Sequence, residues 1–421
     1  MRVIDDLKAL NGEQRSAFLA SFLGWTLDAF DYFLLTFVIK AIAEDFHVKP
    51  SAVQGAVFLT LVARPFGAVA FGWLADKFGR RPILMIDVLL YSALELASAF
   101  APSLIVLLVL RTLFGFVMGG EWGIGASLAL ESIPVRSRGV VSGILQEGYA
   151  CGQLLGALVF AFAYPHFSQW LPQVASWRVL FVVGVIPALL VFYIRRNVKE
   201  SPAFEQNRGK AHRGMDVIRT LAANWKLLIY AVVLMAAFNF FSHGTQDNYA
   251  TFLEVQHGFT PQTVGLLTIV MNFGAITGGL TFGAWSERIG RRKAIVIAAL
   301  LALPIIPLWA FAPTPILLGL GGFLLQIAVQ GAWGVVPVHL NELSPENARG
   351  TFPGAAYQFG NLIAAFAVPM QGKLAEARHN NYGFALAAVA SVTAVALAAL
   401  TWFGPEAKGV SFGPKEATPF D

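Results

Sequence analysis

Charge and sulfur are both scarce in this chain. Asp, Glu, Lys and Arg make up 13% of its 421 residues and hydrophobic residues 56%, against roughly 25% and 45–50% in water-soluble domains. So little charge cannot cover a water-facing surface, which excludes a soluble protein. A single cysteine, Cys151, excludes a disulfide framework. No Ser/His/Asp order, metal-ligand spacing or phosphate loop falls at one membrane depth, so no enzyme, metal or cofactor is expected.

In place of charge stand apolar runs long enough to cross a bilayer, about 20 residues each. Twelve are expected, at 17–41, 52–73, 83–101, 104–130, 140–163, 178–195, 226–248, 262–284, 294–311, 314–340, 351–372 and 382–402. The first is too long for a cleaved signal and contains Asp28 and Asp31. With the N-terminus inside, 23 of the 30 Lys and Arg fall on inner segments, five on outer ones (Lys40, Lys49, Arg178, Lys373, Arg378), and Arg64 and Arg111 lie within spans. That asymmetry orients the chain with both termini cytoplasmic. The net charge of +5 is therefore an insertion signature and implies no nucleic acid. A monomeric, multi-pass protein of the cell membrane, in contact with its lipid, is expected.

The two halves repeat at a constant offset of 211. Gly72, Asp76, Gly79, Arg80 and Arg81 answer to Gly283, Glu287, Gly290, Arg291 and Arg292. Gly120, Trp122 and Gly123 answer to Gly331, Trp333 and Gly334, and Glu131, Pro134, Arg138, Gly139 and Gly143 to Glu342, Pro345, Arg349, Gly350 and Gly354. Six spans per half give both halves the same topology, so the repeat is parallel about an axis along the membrane normal. The expected division is a six-helix bundle over 1–197, a charged cytoplasmic linker over 198–224, and a second bundle with a short tail over 225–421. The fold class is an all-α membrane protein of two pseudo-symmetric bundles.

Polar residues inside the spans mark a pathway. On one helix, Asn239, His243 and Asp247 stack one turn apart, with Ser242 and Gln246 beside them, over about 12 Å. Such a stripe is costly in hydrocarbon and should face a partner helix or a wet cavity. Asp28 and Asp31 correspond under the offset to Asn239 and Ser242, so both halves set polar groups at one depth. Arg64, whose counterpart is Ala275, must meet an acid or an anionic ligand. It has two readings, a fork for a carboxylate or a permanent pair with Asp28 or Asp31, and an Asp that releases it on protonation merges them. Arg111 reads as an internal ion pair. Glu121 reads either as a proton carrier or as a paired acid. Tyr149 reads as a hydrogen-bond donor to a carboxylate or as packing, and His339 and Glu342 are weaker candidates. His243 is the one seam side chain whose ordinary titration lies near neutral pH; the proton belongs to it or to Asp247.

The loop Gly72 to Pro82 combines turn glycines, Asp76, Arg80 and Arg81. The spacing Glu131–Arg138 recurs as Glu342–Arg349. With Glu287, Arg291 and Arg292 these form an expected set of inner-face salt bridges that close in one conformation and part in another, arginine being suited by its planar fork.

Two motifs then carry a resemblance over essentially the whole chain. Gly72 to Pro82 resembles the loop signature of the major facilitators. Asn239-x-x-Ser-His-x-Thr-Gln-Asp-x-x-x-Thr251 resembles the helix-seven signature of Jen-type lactate/pyruvate permeases, in the sialate:proton symporter family. Gly24 to Asp31 and Gly119 to Gly123 are similar to other patterns of that family. The resemblance implies proton-coupled uptake of short monocarboxylates. It places functional residues at Asn239, His243, Gln246 and Asp247, and further ones at Arg64 and Tyr149. Glu147 departs from it, standing where an uncharged residue is expected. The expected site therefore has Arg64, Asn239, His243, Gln246 and Tyr149 binding a small organic anion, with a proton among Asp28, Asp31, His243, Asp247 and Glu121. A larger acid such as sialate is the alternative substrate, and a non-transporting sensor the alternative class.

Overall fold

The computed structural model describes residues 10–132, 144–200, 214–345 and 352–406, and they are helical nearly throughout. In hydrocarbon a chain satisfies its backbone N–H and C=O groups only along its own segment, so each apolar run becomes a helix. In chain order these are α1 (Gly12–Phe37), α2 (Ile39–Asp45), α3 (Pro50–Phe78), α4 (Arg80–Ala99), α5 (Leu104–Ser132), α6 (Gly148–Phe162), α7 (Tyr164–Trp170), α8 (Ser176–Val183) and α9 (Ala188–Asn197). The second half continues with α10 (Gly214–Ala223), α11 (Trp225–Gln246), α12 (Tyr249–Val255), α13 (Pro261–Ile289), α14 (Arg291–Phe311), α15 (Pro315–Trp333), α16 (Val336–Leu343), α17 (Phe352–Ala364), α18 (Ala367–Ala377) and α19 (Tyr382–Phe403). Among the described residues eleven helical stretches are long and apolar enough to cross a membrane. The pair α17–α18 makes the twelfth crossing.

Starts and stops follow from local chemistry. Asn11 and Gln14 form a reciprocal capping box at the head of α1, and Pro50 and Pro261, equivalent under the offset, open α3 and α13. The turns after those helices use Gly79 (φ 110°) and Gly290 (φ 102°), a conformation closed to other residues without strain. Two expected spans are broken at a proline. Pro187 cannot donate to the carbonyl of Val183, where α8 ends, and Pro369 cannot donate to that of Ala365, just past α17. The polar span also divides, at Asp247–Asn248, between α11 and α12.

Within each half, helices approach through glycine. A Cβ at Gly67 would collide with the Phe116 carbonyl oxygen, and one at the equivalent Gly278 with that of Ile327, the equivalent of Phe116. The repeat thus preserves one α3–α5 and α13–α15 contact, made backbone to backbone as in other membrane helix pairs. Outward faces present Phe66, Val69, Ile105, Phe192, Phe273, Leu280 and Val392, all exposed, as expected of a lipid-facing surface.

The halves meet along α6–α13 and along α3 with α17 and α18. On the side away from the chain ends they are tied by polar contacts. Gln54 on α3 donates to Asn248 at 2.7 Å, and Asn248 donates to the Val368 carbonyl (2.9 Å) and to Gln371 (3.1 Å). The Ser51 N–H donates to Glu376 at 3.3 Å, and Phe58 packs on Phe366. This far side is closed.

Candidate functional site

A narrow, partly open cleft lies between the halves and is lined by Trp25, Gln146, Tyr149, Asn239, Ser242, His243, Gln330, Trp333 and Tyr357. These residues come from α1, the start of the fifth crossing, α11, α15 and α17. Trp25, Gln146, Tyr149, Gln330, Trp333 and Tyr357 lie toward the chain-end side of their crossings, while Ser242 and His243 lie past the middle of theirs, so the cavity runs from that side to the centre. Its aromatic wall is continuous. Trp25 stacks on Tyr149 at 5.8 Å and meets Trp122 edge-on at 6.4 Å, while Tyr357 bridges Trp122 (5.6 Å) and Trp333 (6.0 Å).

The expected column does face this cavity at its upper end. Asn239 and His243 line it with Ser242; the Tyr149 hydroxyl and Asn239 Nδ2, both buried, have no hydrogen-bond partner. Asp247 lies behind His243. Its Oδ2 accepts the Tyr32 hydroxyl at 2.6 Å and stands 2.9 Å from His243 Nδ1. An ionised Asp247 accepts an N–H from Nδ1 and leaves Nε2 as the other ring nitrogen of His243. Gln246 is placed elsewhere than the sequence groups it. Its amide donates to Gln326 on α15 at 2.9 Å and does not line the cavity.

Arg64 is 1% exposed and pairs with Asp28 at 3.6 Å, as one of its two readings has it. That distance is longer than a hydrogen bond, and Arg64 Nε and Nη2 make no hydrogen bond. The guanidinium carbon sits 5.9 Å from the ring of Trp25, which lines the cavity, while Arg64 itself does not. Arg111 forms the internal pair expected of it, donating to Glu95 at 2.5 Å and to Ser98 at 2.8 Å. Asp31 shares the space left by Gly184 with Glu95: a Cβ there would be 3.2 Å from Asp31 Oδ1 and 2.6 Å from Glu95 Cγ. Glu121 is fully buried against Gly24 and Gly125, with neither oxygen hydrogen-bonded. Of the five groups expected to share a proton, Asp247 and His243 are brought together, while Asp28, Asp31 and Glu121 lie in the first half. Glu147 faces Gly279 across the α6–α13 contact, 2.5 Å from where a Cβ there would be.

Among the described residues, the arginines of the expected inner-face set meet the linker or their own half. Glu200 accepts from the backbone N–H groups of Arg80 (3.0 Å) and Arg81 (3.2 Å), and the Arg81 side chain donates to the Arg195 carbonyl at 2.6 Å. Arg291 holds Glu342 bidentately, 3.1 Å at both contacts, and Arg292 donates to the Thr401 carbonyl. His339 lies buried at the same end without a partner on either ring nitrogen. The side chains of Asp76, Glu131 and Glu287, and all of Arg138 and Arg349, lie outside the described residues.

Sequence reasoning missed Tyr32, Trp25, Gln330, Tyr357 and Glu95. One signal was present: Tyr32 and His243 are 211 apart, so they are equivalent positions that touch across the axis of the repeat. Trp333 had been recognised only as a repeat mate of Trp122.

A model described as "Sugar (and other) transporter" matches residues 16–232, and one described as "Major Facilitator Superfamily" matches residues 232–421. A "Probable 4-methylmuconolactone transporter" of Cupriavidus pinatubonensis is 31% identical over 382 residues, covering 87% of this chain and 85% of that protein. A "Carboxylic acid transporter protein homolog" of Saccharomyces cerevisiae is 29% identical over 396 residues, or 89% of this chain; the chain spans 63% of that protein's length. Among solved structures, the partially occluded inward open conformation of the xylose transporter XylE from Escherichia coli superposes with a TM-score of 0.78, covering 95% of this chain and all of that one at 21% identity. Twelve crossings, an internal repeat of 211 and these matches agree, and the chain belongs to the major facilitator superfamily, a family of membrane transporters.

Proposed function

We propose that this transporter carries a short monocarboxylate, lactate or pyruvate, together with a proton by alternating access. The observation that carries the reading is the convergence on one cavity of two unpartnered donors, Tyr149 Oη and Asn239 Nδ2, with the free face of an imidazole whose other nitrogen is engaged by Asp247. A proton that joins His243 Nε2 adds a charged donor to that set, and a carboxylate is the complementary guest. Removing a lone anion from water into such a site is costly, whereas an anion entering with its proton adds no net charge. That is the physical reason for coupling the two.

Arg64 is the second anchor. In the present conformation Asp28 holds it, and a proton on Asp28 releases the guanidinium toward Trp25 and the cavity behind it. Asp31 and Glu121 extend the same acid cluster and serve as further proton stations. Gln246 enters the pocket when its bond to Gln326 parts. The rigid bodies of the cycle are residues 1–197 and 225–421, with 198–224 as the connection. The Arg80, Arg81, Asp76, Glu131 and Arg138 set and its counterpart Glu287, Arg291, Arg292, Glu342 and Arg349 act as latches on the side of the chain ends. That side is the cytoplasm by its Lys and Arg, and the cavity faces it here. The yeast relative's name supports a carboxylate substrate.

Purified protein in liposomes tests this directly. Radiolabelled lactate should accumulate when the outside is made acid, and unlabelled pyruvate should compete. Uptake that ignores the acid gradient would remove the proton from the mechanism. Competition by larger acids alone would move the substrate class to a bulkier acid.

A further inference from the structure

We infer that Tyr32 is a positioning residue that couples the proton on the His243–Asp247 pair to closure of the far side. The inference rests on the proton-coupled reading above and adds to it a residue that neither the motifs nor the repeat assigned.

Tyr32 belongs to α1, in the first half, and Asp247 and His243 belong to the end of α11, in the second. All three are buried, Tyr32 at 1% exposed. The Tyr32 hydroxyl lies 2.6 Å from Asp247 Oδ2 and 3.3 Å from His243 Nδ1, and Nδ1 lies 2.9 Å from the same Oδ2. One carboxylate oxygen therefore accepts from both halves at once. The Tyr32 bond can exist only while α1 and α11 are together at this depth. One residue past Asp247, at the break before α12, Asn248 begins the amide ties to Gln54 and Gln371 that close the far side.

These ties differ in kind. The Gln54–Asn248–Gln371 set is built from neutral amides and carries no proton. The Tyr32–Asp247 bond ends on a group that reaches the cavity through His243. A proton that settles on Oδ2 takes one of the two lone pairs that Tyr32 and His243 Nδ1 use, and an imidazolium, which holds Oδ2 more tightly than the neutral ring, weakens the Tyr32 bond without excluding it. Proton binding and Tyr32 docking thus oppose each other on one atom, and by linkage the opposition is reciprocal. With a proton aboard and no anion, the charge-assisted bond of the closed far side is weakened and the carrier is held open to that side. An anion on the free face of His243 draws the imidazolium toward the cavity, restores the Tyr32 bond, and lets the far side close. Proton leak without substrate is suppressed by the same bond. The other charged or titratable groups facing these three are Tyr149 on α6, Arg64 on α3 with Asp28 paired to it, and Tyr357 on α17.

Tyr32→Phe keeps the ring and deletes the hydroxyl. In liposomes it should leave lactate-for-lactate exchange within about threefold of wild type and lower acid-driven accumulation at least about tenfold, the scale of a lost hydrogen bond to a charged group. The dependence of accumulation on outside pH should flatten. Accumulation and a pH profile equal to wild type would overturn the inference. A second measurement needs no substrate. In a Cys151→Ser background, spin labels at Glu44→Cys and Lys373→Cys report the far-side separation. Wild type should shift to longer distances as the pH falls, and Tyr32→Phe should show the long distances at neutral pH with the shift lost. Identical distributions and identical shifts in both proteins would again overturn it. If wild type itself shows no acid-driven uptake of lactate, the substrate reading falls, while the distance measurement still decides the Tyr32 bond.

Discussion

The two halves share a scaffold and divide the chemistry. In the first, Asp28, Asp31, Arg64, Asp87, Glu95, Arg111 and Glu121 are all buried at 1% exposure or less. The equivalent positions in the second are Asn239, Ser242, Ala275, Ala298, Ile306, Gly322 and Ala332. The second half instead presents Asn239, His243 and Gln330, which line the cavity, Asn248, which ties the halves together, and Gln246 and Gln326, which bond to each other. A helix contact such as Gly67–Phe116 must be kept in both halves, because closing a bundle demands it twice. A buried charge need occur only once. The first half therefore holds most of the buried charge, and the second, apart from Asp247 and the Arg291–Glu342 pair, supplies most of the wall and closure.

The strongest test of this division is to move the charge. Arg64→Gln should lower uptake by about 100-fold, the scale of a lost pair of charge-assisted hydrogen bonds. Adding Ala275→Arg should not rescue it, since the second half offers Asn239 where the first has Asp28. Rescue would show that the halves are interchangeable. Next in size is stability. Arg111→Met leaves Glu95 buried without its partner and should cost roughly 3–5 kcal/mol, whereas the double variant with Glu95→Leu should recover most of it. Unfolding of the purified protein in detergent measures both. Recovered stability without recovered uptake would promote this pair from structure to transport.

A smaller effect is expected at the neutral closure. Asn248→Ala removes its bonds to Gln54, Val368 and Gln371, at about 0.5–1.5 kcal/mol each. It should raise the labelling rate of a cysteine placed on the far side in a Cys151→Ser background, by up to tenfold. An unchanged rate would mean that the amides only fill space. Smallest should be Trp333→Phe, which keeps an aromatic wall and loses one bond to the Phe238 carbonyl at 3.3 Å. Uptake should change by about threefold or less. A larger loss would make the indole a contact of the substrate.

Much of this organisation was legible in residues alone, for reasons that differ from residue to residue. The twelve crossings follow from uninterrupted apolar length, and the broken ones could have been read from Pro187 and Pro369. Asn239 and His243 were legible because a polar stripe in a span has few places to go. Arg64 was legible as needing a partner, and Asp28 was named as one of two. Tyr32 was invisible because a tyrosine in an apolar helix has no pattern of its own; only its contact with a position 211 residues away gives it a role. Glu95 was passed over for the same reason, its meaning residing in Arg111, sixteen residues further on and on another helix.

By itself the sequence determined how many times the chain crosses the membrane, that its halves repeat, and which helix carries the polar column, since hydrocarbon tolerates only self-satisfied backbone and penalises each stray polar group. The tertiary structure alone decided which polar atoms meet across the two halves, that Gln246 turns to Gln326 rather than to the cavity, and that Asp247 takes donors from both bundles. Hydrogen bonds depend on distances of a few tenths of an ångström between helices far apart in the chain, and no spacing along one helix encodes those.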